Sequence, residues 1–272
     1  MSFVSTLPPL AVEAAVATAH AALSTNLALL AARISLGDDL YIFGYASLLW
    51  NPGEILYSDR LDAALAGFRR RLCQVSPDHR GTPSALGRVA TLLPAKRSRM
   101  ALTDCRPTNV SCPRLAALAS HSISLWLGEA PADEDCSSDD VSEDEGVPVV
   151  YGSVFKVARE ACGPILERLA VREKAGYEPQ LVQVSICGGR SILAVTFIGT
   201  REFYARESDA ERAVVISKAV GPSGSSEDYF ARLLGYTRRQ SIFDSHLEGI
   251  LVALQAADAV SAKRVLEALE KY

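Results

Sequence analysis

Apolar positions along this chain fall mostly into short runs broken by Gly, Pro, Ser and Asp, with one longer exception near the start. That exception, residues 10–33, is rich in Ala and Leu but diluted by Glu13, Thr18, His20, Ser24, Thr25 and Asn26. A membrane-spanning helix needs roughly 20 predominantly apolar residues, so the run does not read as one. No positive charge precedes it and Arg33 is its only basic residue, which fits neither a signal nor a transit peptide. The pattern predicts an amphipathic helix ending near Gly37, docked on the domain or on a protein partner. The next run, Leu40–Phe43, is short and β-favouring. Gly87–Leu93 and Val149–Val157 read as strands, and Leu181–Ile186 with Ile192–Ile198 predict a hairpin around Gly188-Gly189-Arg190. Arg69, Arg70 and Arg71 are consecutive, so on a strand they alternate sides; a solvated edge is expected there rather than a polyanion patch.

The helical periodicity is most informative after Gly163. Pro164 suits a first helical turn and Gly176 suits an end. Advancing 100° per residue, Ile165, Leu166, Leu169 and Ala170 form one apolar stripe, with Glu173 in its middle and Arg172 and Lys174 on its flanks. Burial and the negative helix C-terminus both disfavour the charged carboxylate and raise its pKa, which is how a general base is tuned. A buried Glu paired to an Arg fits the same pattern, and both readings stand. Further on, Ala219–Phe230 enters a helix through a Ser N-cap with Asp three residues later. Gly221 and Gly224 lack the Lys-Ser/Thr pair of a Walker loop, so capping accounts for them. A last helix is expected from about Ser261 to Tyr272.

Composition changes this picture in one place. Of the 272 residues 49% are apolar and the net charge is −4, which suits one ordinary domain with appendages. Glu129–Glu145 contains nine acidic residues and no basic one, so the rest of the chain is mildly basic. A basic core suits a small anionic substrate, and no aromatic–basic interleaving favours nucleic acid. Pro94–Val147 as a whole cannot bury enough apolar surface to offset its ordering entropy and reads as an inserted, mobile loop. The six cysteines form no CxxC pair and stand apart from the four histidines, so zinc-site spacing is absent. Reduced thiols in a cytoplasmic protein are expected. Cys73 with Asp78 and His79 could suggest a nucleophile and base, but the three lie in one turn-rich segment, and such triads are assembled by the fold.

The stretch Phe43-Gly44-Tyr45-Ala46-Ser47-Leu48-Leu49-Trp50 joins a strand to small residues, a hydroxyl and a tyrosine. Small side chains there leave backbone N–H groups open to an anion; an ordinary strand-to-helix turn has the same pattern. Taken with Asp78-His79-Arg80-Gly81-Thr82-Pro83, Gly87-Arg88-Val89, Arg172-Glu173-Lys174-Ala175-Gly176-Tyr177, Ile198-Gly199-Thr200 and Gly221-Pro222-Ser223-Gly224 through Tyr229, it resembles the ChaC branch of γ-glutamylcyclotransferases, the glutathione-specific enzymes. The resemblance covers roughly residues 40–94 and 149–250.

That resemblance implies a mixed α/β (α+β) fold around a small β-barrel flanked by helices. It would occupy residues 38–260, with an N-terminal helical extension (1–37), an acidic insertion at about 95–148 and a C-terminal helix (261–272). It implies a substrate-binding set of Gly44, Tyr45, Ala46, Ser47, Leu48, Leu49 and Tyr229, with Glu173 as catalytic base, and no metal or cofactor. The implied reaction cleaves glutathione to 5-oxoproline and cysteinylglycine. No nucleic acid or membrane partner is expected, whereas the N-terminal helix or the acidic insertion offers a place for a protein partner. Three features depart from the family pattern: Ala46 where Gly is usual, Ser226 and Asp228 where Asn and Glu are usual, and the insertion itself. They leave open another γ-glutamyl substrate, or a binding module of the same fold.

Overall fold

The structure is a computed structural model, and it describes residues 8–19, 21, 40–53, 55–95 and 147–271. The expected insertion, and the end of the first helix near Gly37, lie outside the described residues. In chain order the elements are α1 (residues 9–19), β1 (Leu40–Gly44), a 3₁₀ turn (Ser47–Leu49), β2 (Asp59–Ala66), β3 (Phe68–Ser76), β4 (Gly87–Pro94) and β5 (Val149–Val157). They continue with α2 (Cys162–Arg172), β6 (Tyr177–Ile186), β7 (Arg190–Gly199), α3 (Asp209–Lys218), β8 (Val220–Gly221), β9 (Gly224–Ser225), α4 (Ser226–Arg239), α5 (Ser245–Ala257) and α6 (Ala259–Leu269).

Five strands close into a barrel in the order β1-β5-β2-β6-β7, and β7 returns to β1 through a parallel pairing of Ile42 with Val195. Strand β1 is apolar throughout because both its faces are covered. Leu40 and Ile42 face a cluster with the α2 residues Ile165, Leu166 and Leu169, while Phe43 joins the larger cluster containing Leu65, Val154 and Val184. The strands β1 and β5 approach closely at Gly152, where a Cβ would stand 2.2 Å from the Gly44 carbonyl oxygen. No larger residue fits that crossing. Beside the barrel, β3 and β4 form a two-stranded sheet, and α4, α5 and α6 bury Phe230, Leu234, Leu247, Leu254 and Val265 in the larger cluster.

The mixed α+β barrel and the hairpin agree with the sequence reading; three details do not. Arg70 is not at a solvated edge. It is 4% exposed, donates to the Tyr151 carbonyl at 2.6 Å and pairs with Asp244 at 3.3 Å, because the edge of β3 is roofed by the turn that opens α5. Helix α2 ends at Arg172, so Glu173 is its C-cap rather than a residue of its stripe. The last helix begins at Ala259, since the Asp258 side chain accepts from the Val260 and Ser261 N–H groups and sets the N-cap there. Among the described residues no helix is long and apolar enough to cross a membrane.

Candidate active site

The loop after β1 is fixed at both ends. Tyr45 is buried, and its hydroxyl donates to the Phe197 carbonyl of β7 at 2.6 Å. Leu48 is buried in the same cluster as Ile165 and Leu169 of α2, and Leu49 is buried as well. The first bond of the 3₁₀ turn runs from Leu49 N–H to Ala46 O at 2.8 Å. The N–H groups of Ser47 and Leu48 precede it, and no bond within the turn reaches them. Ala46 has φ −142°, so the position does not demand glycine's left-handed backbone. Gly44 is tight instead: a Cβ there would stand 2.7 Å from that of Leu48.

Opposite this loop, the chain leaves α2 through a constrained turn. Glu173 N–H closes the helix on Leu169 O at 2.7 Å. Ala175 and Gly176 then adopt positive φ, 66° and 83°, and Gly176 is pressed against Phe203, whose ring lies 2.2 Å from where a Cβ would be. The amide of buried Gln74 donates to the carbonyls of Ala175 at 3.0 Å and Gly176 at 3.4 Å. Thr200 N–H also reaches Gly176 O, at 2.6 Å.

Loop and turn meet through one guanidinium. Arg172 donates from Nε to Glu173 Oε1 at 3.1 Å and from Nη2 to Ser47 Oγ at 3.0 Å. The carboxylate is therefore not the unpartnered group of one sequence reading; it has the paired geometry of the other, with its side chain 14% exposed. Its pKa is nevertheless raised. Burial is the largest cause, Arg172 and His79 oppose it, and the Asp78 charge adds to it.

Three tyrosines share this space, Tyr45 and Tyr229 buried and Tyr177 partly buried. Tyr177 donates to Ala90 O at 2.6 Å, and Tyr229 accepts from Ala90 N–H at 3.1 Å. Burial pushes Tyr229 up to about 12, and the charge of Glu173 adds to that. Tyr45 and Tyr177 are raised well above the usual phenol range by burial first, then by their phenolic neighbours and Glu173. Trp50 meets the Tyr229 ring edge-on at 5.4 Å, and the Arg80 guanidinium lies 5.4 Å from the centre of the same ring.

The site residues inferred from sequence thus divide by role. Tyr45, Ser47, Tyr229 and Glu173 bring side chains together; Gly44, Ala46, Leu48 and Leu49 shape the loop. Sequence reasoning gave no role to Trp50, Arg80 or Tyr177, nor to Arg172 beyond a flank. Each lies in or beside a quoted motif, and an aromatic or Arg next to such a motif is the signal that was available. Cys73 is buried, and Asp78 pairs with His79 at 2.9 Å. Ser226 is wholly buried and spans two backbone segments, donating to Arg80 O at 3.1 Å and accepting from Arg88 N–H at 3.2 Å. Asp228 pairs with Arg80 at 3.1 Å. Gly221 and Gly224 belong to the small β8–β9 hairpin that leads into α4, whose N-cap is Ser225. Among the described residues, no group of three or more His, Cys, Asp or Glu side chains is arranged to hold a metal ion.

Known proteins share this architecture. A glutathione-specific γ-glutamylcyclotransferase of Saccharomyces cerevisiae is 31% identical over 219 residues, covering 71% of this chain and 83% of its own. The enzyme of that name from Schizosaccharomyces pombe is 26% identical over 209 residues, covering 74% and 84%. A crystal structure of the glutathione-specific γ-glutamylcyclotransferase from yeast superposes with a TM-score of 0.59 at 27% identity, covering 81% of this chain and 97% of that one. The model of the family described as ChaC-like protein matches residues 40–257, which include both the Tyr45–Leu48 loop and the Glu173 turn. This chain therefore belongs to the ChaC-like protein family.

Proposed function

We propose that this protein is a glutathione-specific γ-glutamylcyclotransferase in which Glu173 is the general base and the Tyr45–Leu48 loop holds the glutamyl arm. The observation that carries the reading is the meeting, through Arg172, of a raised-pKa carboxylate with a loop whose Ser47 and Leu48 N–H groups precede the first bond of its 3₁₀ turn.

The chemistry requires both parts. The substrate's α-ammonium has no lone pair, so the Glu173 carboxylate removes one proton. The freed amine attacks the γ-carbonyl carbon of the same molecule, forming the ring C–N bond and an oxyanion. Collapse of the oxyanion breaks the bond to the cysteinyl nitrogen, which takes up the proton returned from Glu173; the ring nitrogen gives up its extra proton to that leaving amine, so that a neutral lactam N–H and an ammonium result. The products are 5-oxoproline and cysteinylglycine, and no water is consumed. A base of raised pKa is better matched to an amine than an ordinary carboxylate, and such catalysis contributes ~10²–10⁴-fold. Both reacting groups belong to one molecule, so the loop's task is to fold the glutamyl arm into a near-attack shape. The N–H groups of Ser47 and Leu48 are suited to a carboxylate or to the oxyanion, where one donor is worth ~2.7–4 kcal/mol. Arg80 supplies a cation on the Tyr229 side of the site for a carboxylate of the tripeptide. Ser226 serves the fold through its two backbone bonds, so its departure from the family pattern leaves this reading intact. A cytoplasmic setting, where glutathione is abundant and thiols stay reduced, fits the chemistry.

The test is release of 5-oxoproline from glutathione by the purified protein and by Glu173→Gln. Turnover by the wild type with loss in the variant supports the reading. An active variant removes Glu173 from the role of base, and an inactive wild type removes the substrate.

A further inference from the structure

The matched family region begins at residue 40, so helix α1 lies outside it. Its inward face is a regular stripe: Val12, Ala15, Val16 and Ala19 fall at the i, i+3, i+4, i+7 spacing of one helix face. Val12 is fully buried, whereas Leu10 on the same helix is 81% exposed. The stripe forms one apolar cluster with Val75 of β3, Leu86, Phe203, Ala205 and Ala175. Two of those partners belong to the catalytic turn: Ala175 is two residues after Glu173, and Phe203 is the ring against Gly176.

We propose that α1 is a positioning element for Glu173, packing behind the Ala175–Gly176 turn and holding the carboxylate in its working place. A non-glycine residue in the left-handed region costs ~1–2 kcal/mol, and such conformations persist only where their surroundings over-determine them. The amide of Gln74 fixes the turn's carbonyls. Phe203 backs Gly176 and is shared with α1, and the Ala175 methyl packs in the α1 cluster. Loosening α1 therefore leaves a strained turn with one support fewer, directly beside the base. Misplacement of a catalytic group by about 1 Å can cost ~10²-fold in rate. The buried face of α1 is apolar. The charged and titratable groups around Glu173 come from elsewhere: Arg172, Asp78, His79 and the phenols of Tyr45, Tyr177 and Tyr229.

The inference rests on Glu173 being the base, and its test is separable from that reading. In the full chain, Val12→Asp, Val12→Ala and the exposed control Leu10→Asp are compared with the wild type for 5-oxoproline release. Three readouts are followed: kcat against KM for glutathione, the acid limb of the pH profile, and hydrogen exchange of the 173–176 amides. Val12→Asp is expected to lower kcat about tenfold or more with a smaller change in KM. In Val12→Ala, which adds no charge, the acid limb should move down towards the ordinary carboxylate value as water reaches Glu173, and in both variants the 173–176 amides should exchange faster. Leu10→Asp should match the wild type, and Val12→Ile should restore kcat. If Val12→Asp does not fold, Val12→Ala carries the same three readouts in milder form. A folded Val12 variant with wild-type kcat, acid limb and exchange overturns the inference while leaving Glu173 as base; an active Glu173→Gln overturns the base itself.

Discussion

Ser47 and Glu173, carried by separate elements, are joined by the two arms of a single guanidinium: Arg172 gives Nη2 to the hydroxyl and Nε to the carboxylate. This contact has an electrostatic consequence. Arg172 is the largest of the influences holding the Glu173 pKa down against burial. Replacing it by Gln removes that opposition, so the folded-state pKa rises further and the carboxylate forms only at higher pH. Arg172→Gln is expected to shift the acid limb of the kcat profile to higher pH, with activity recovering as the medium is made more alkaline. An unchanged limb would show that the contact does not govern the ionisation of Glu173.

A stability prediction follows from the same raised pKa. In the unfolded chain Glu173 ionises near ~4.3; in the folded protein it ionises at higher pH. Below the unfolded value both states hold the proton and the carboxylate costs nothing. As pH rises through the window between the two values, only the unfolded state loses its proton readily, so stability falls. Glu173→Gln carries no such charge. Its Tm should exceed that of the wild type at neutral pH, and the difference should shrink away as the pH drops below ~4. A variant less stable than the wild type at neutral pH would mean that the Arg172 pair outweighs burial.

How far the sequence showed all this depended on whether local chemistry or tertiary closure set each feature. Strands β1 and β5 and the β6–β7 hairpin were legible because apolar runs end at residues whose backbone preferences end strands. The Ser225 cap of α4 was legible too, since a cap is a contact between near neighbours. Helix α3, which opens with Ser208 and Glu211 in a reciprocal capping box, carried the same kind of signal and went unread. Glu173 was singled out for burial, which is the largest cause of its raised pKa, but with the wrong geometry: the reading carried the helix on towards Gly176, whereas it ends at Arg172. Its partner Arg172 was adjacent in sequence, yet only the fold decides that the guanidinium turns back to the carboxylate and across to Ser47. Arg70 failed for the complementary reason. A strand edge looks solvated until a remote segment, here Asp244, is folded over it.

His246 should make the protein acid-sensitive. It is buried, and its Nε2 accepts the Leu72 N–H at 3.0 Å, which requires an unprotonated nitrogen. Burial, then Arg71 and Arg212, hold its pKa well below the usual imidazole range, while Asp209 lies 3.8 Å from Nδ1. The unfolded chain takes up a proton near ~6.5 and the folded one does not, so stability is lost as pH falls from there. Denaturant titrations of the wild type between pH 7.5 and 5 should show this slope. His246→Gln, which keeps an acceptor for Leu72 but cannot be protonated, should flatten it; an equal slope in the variant would place the acid sensitivity elsewhere.

Arg70 decides between two descriptions of the β3 edge by magnitude. An arginine at a solvated edge contributes within about ±0.5 kcal/mol when replaced. Arg70 is instead enclosed, with Asp244 at 3.3 Å and the Tyr151 carbonyl at 2.6 Å as its partners. Asp244 is also the N-cap of α5, accepting from Leu247 N–H. Removing the guanidinium therefore strands a carbonyl and leaves a half-covered carboxylate to serve the cap alone. Breaking one side of a buried pair costs ~3–5 kcal/mol, so Arg70→Ala is expected to lose about that much in urea denaturation. Arg70→Met keeps the packing of the stem and should lose less, as the share owed to the charge alone. Asp244→Asn is the sharper test, because Asn still caps α5 but leaves the Arg70 cation uncompensated. A loss well above that of an ordinary cap substitution, ~1 kcal/mol, would show the charge pair at work, and a loss below it would return Arg70 to the solvent edge.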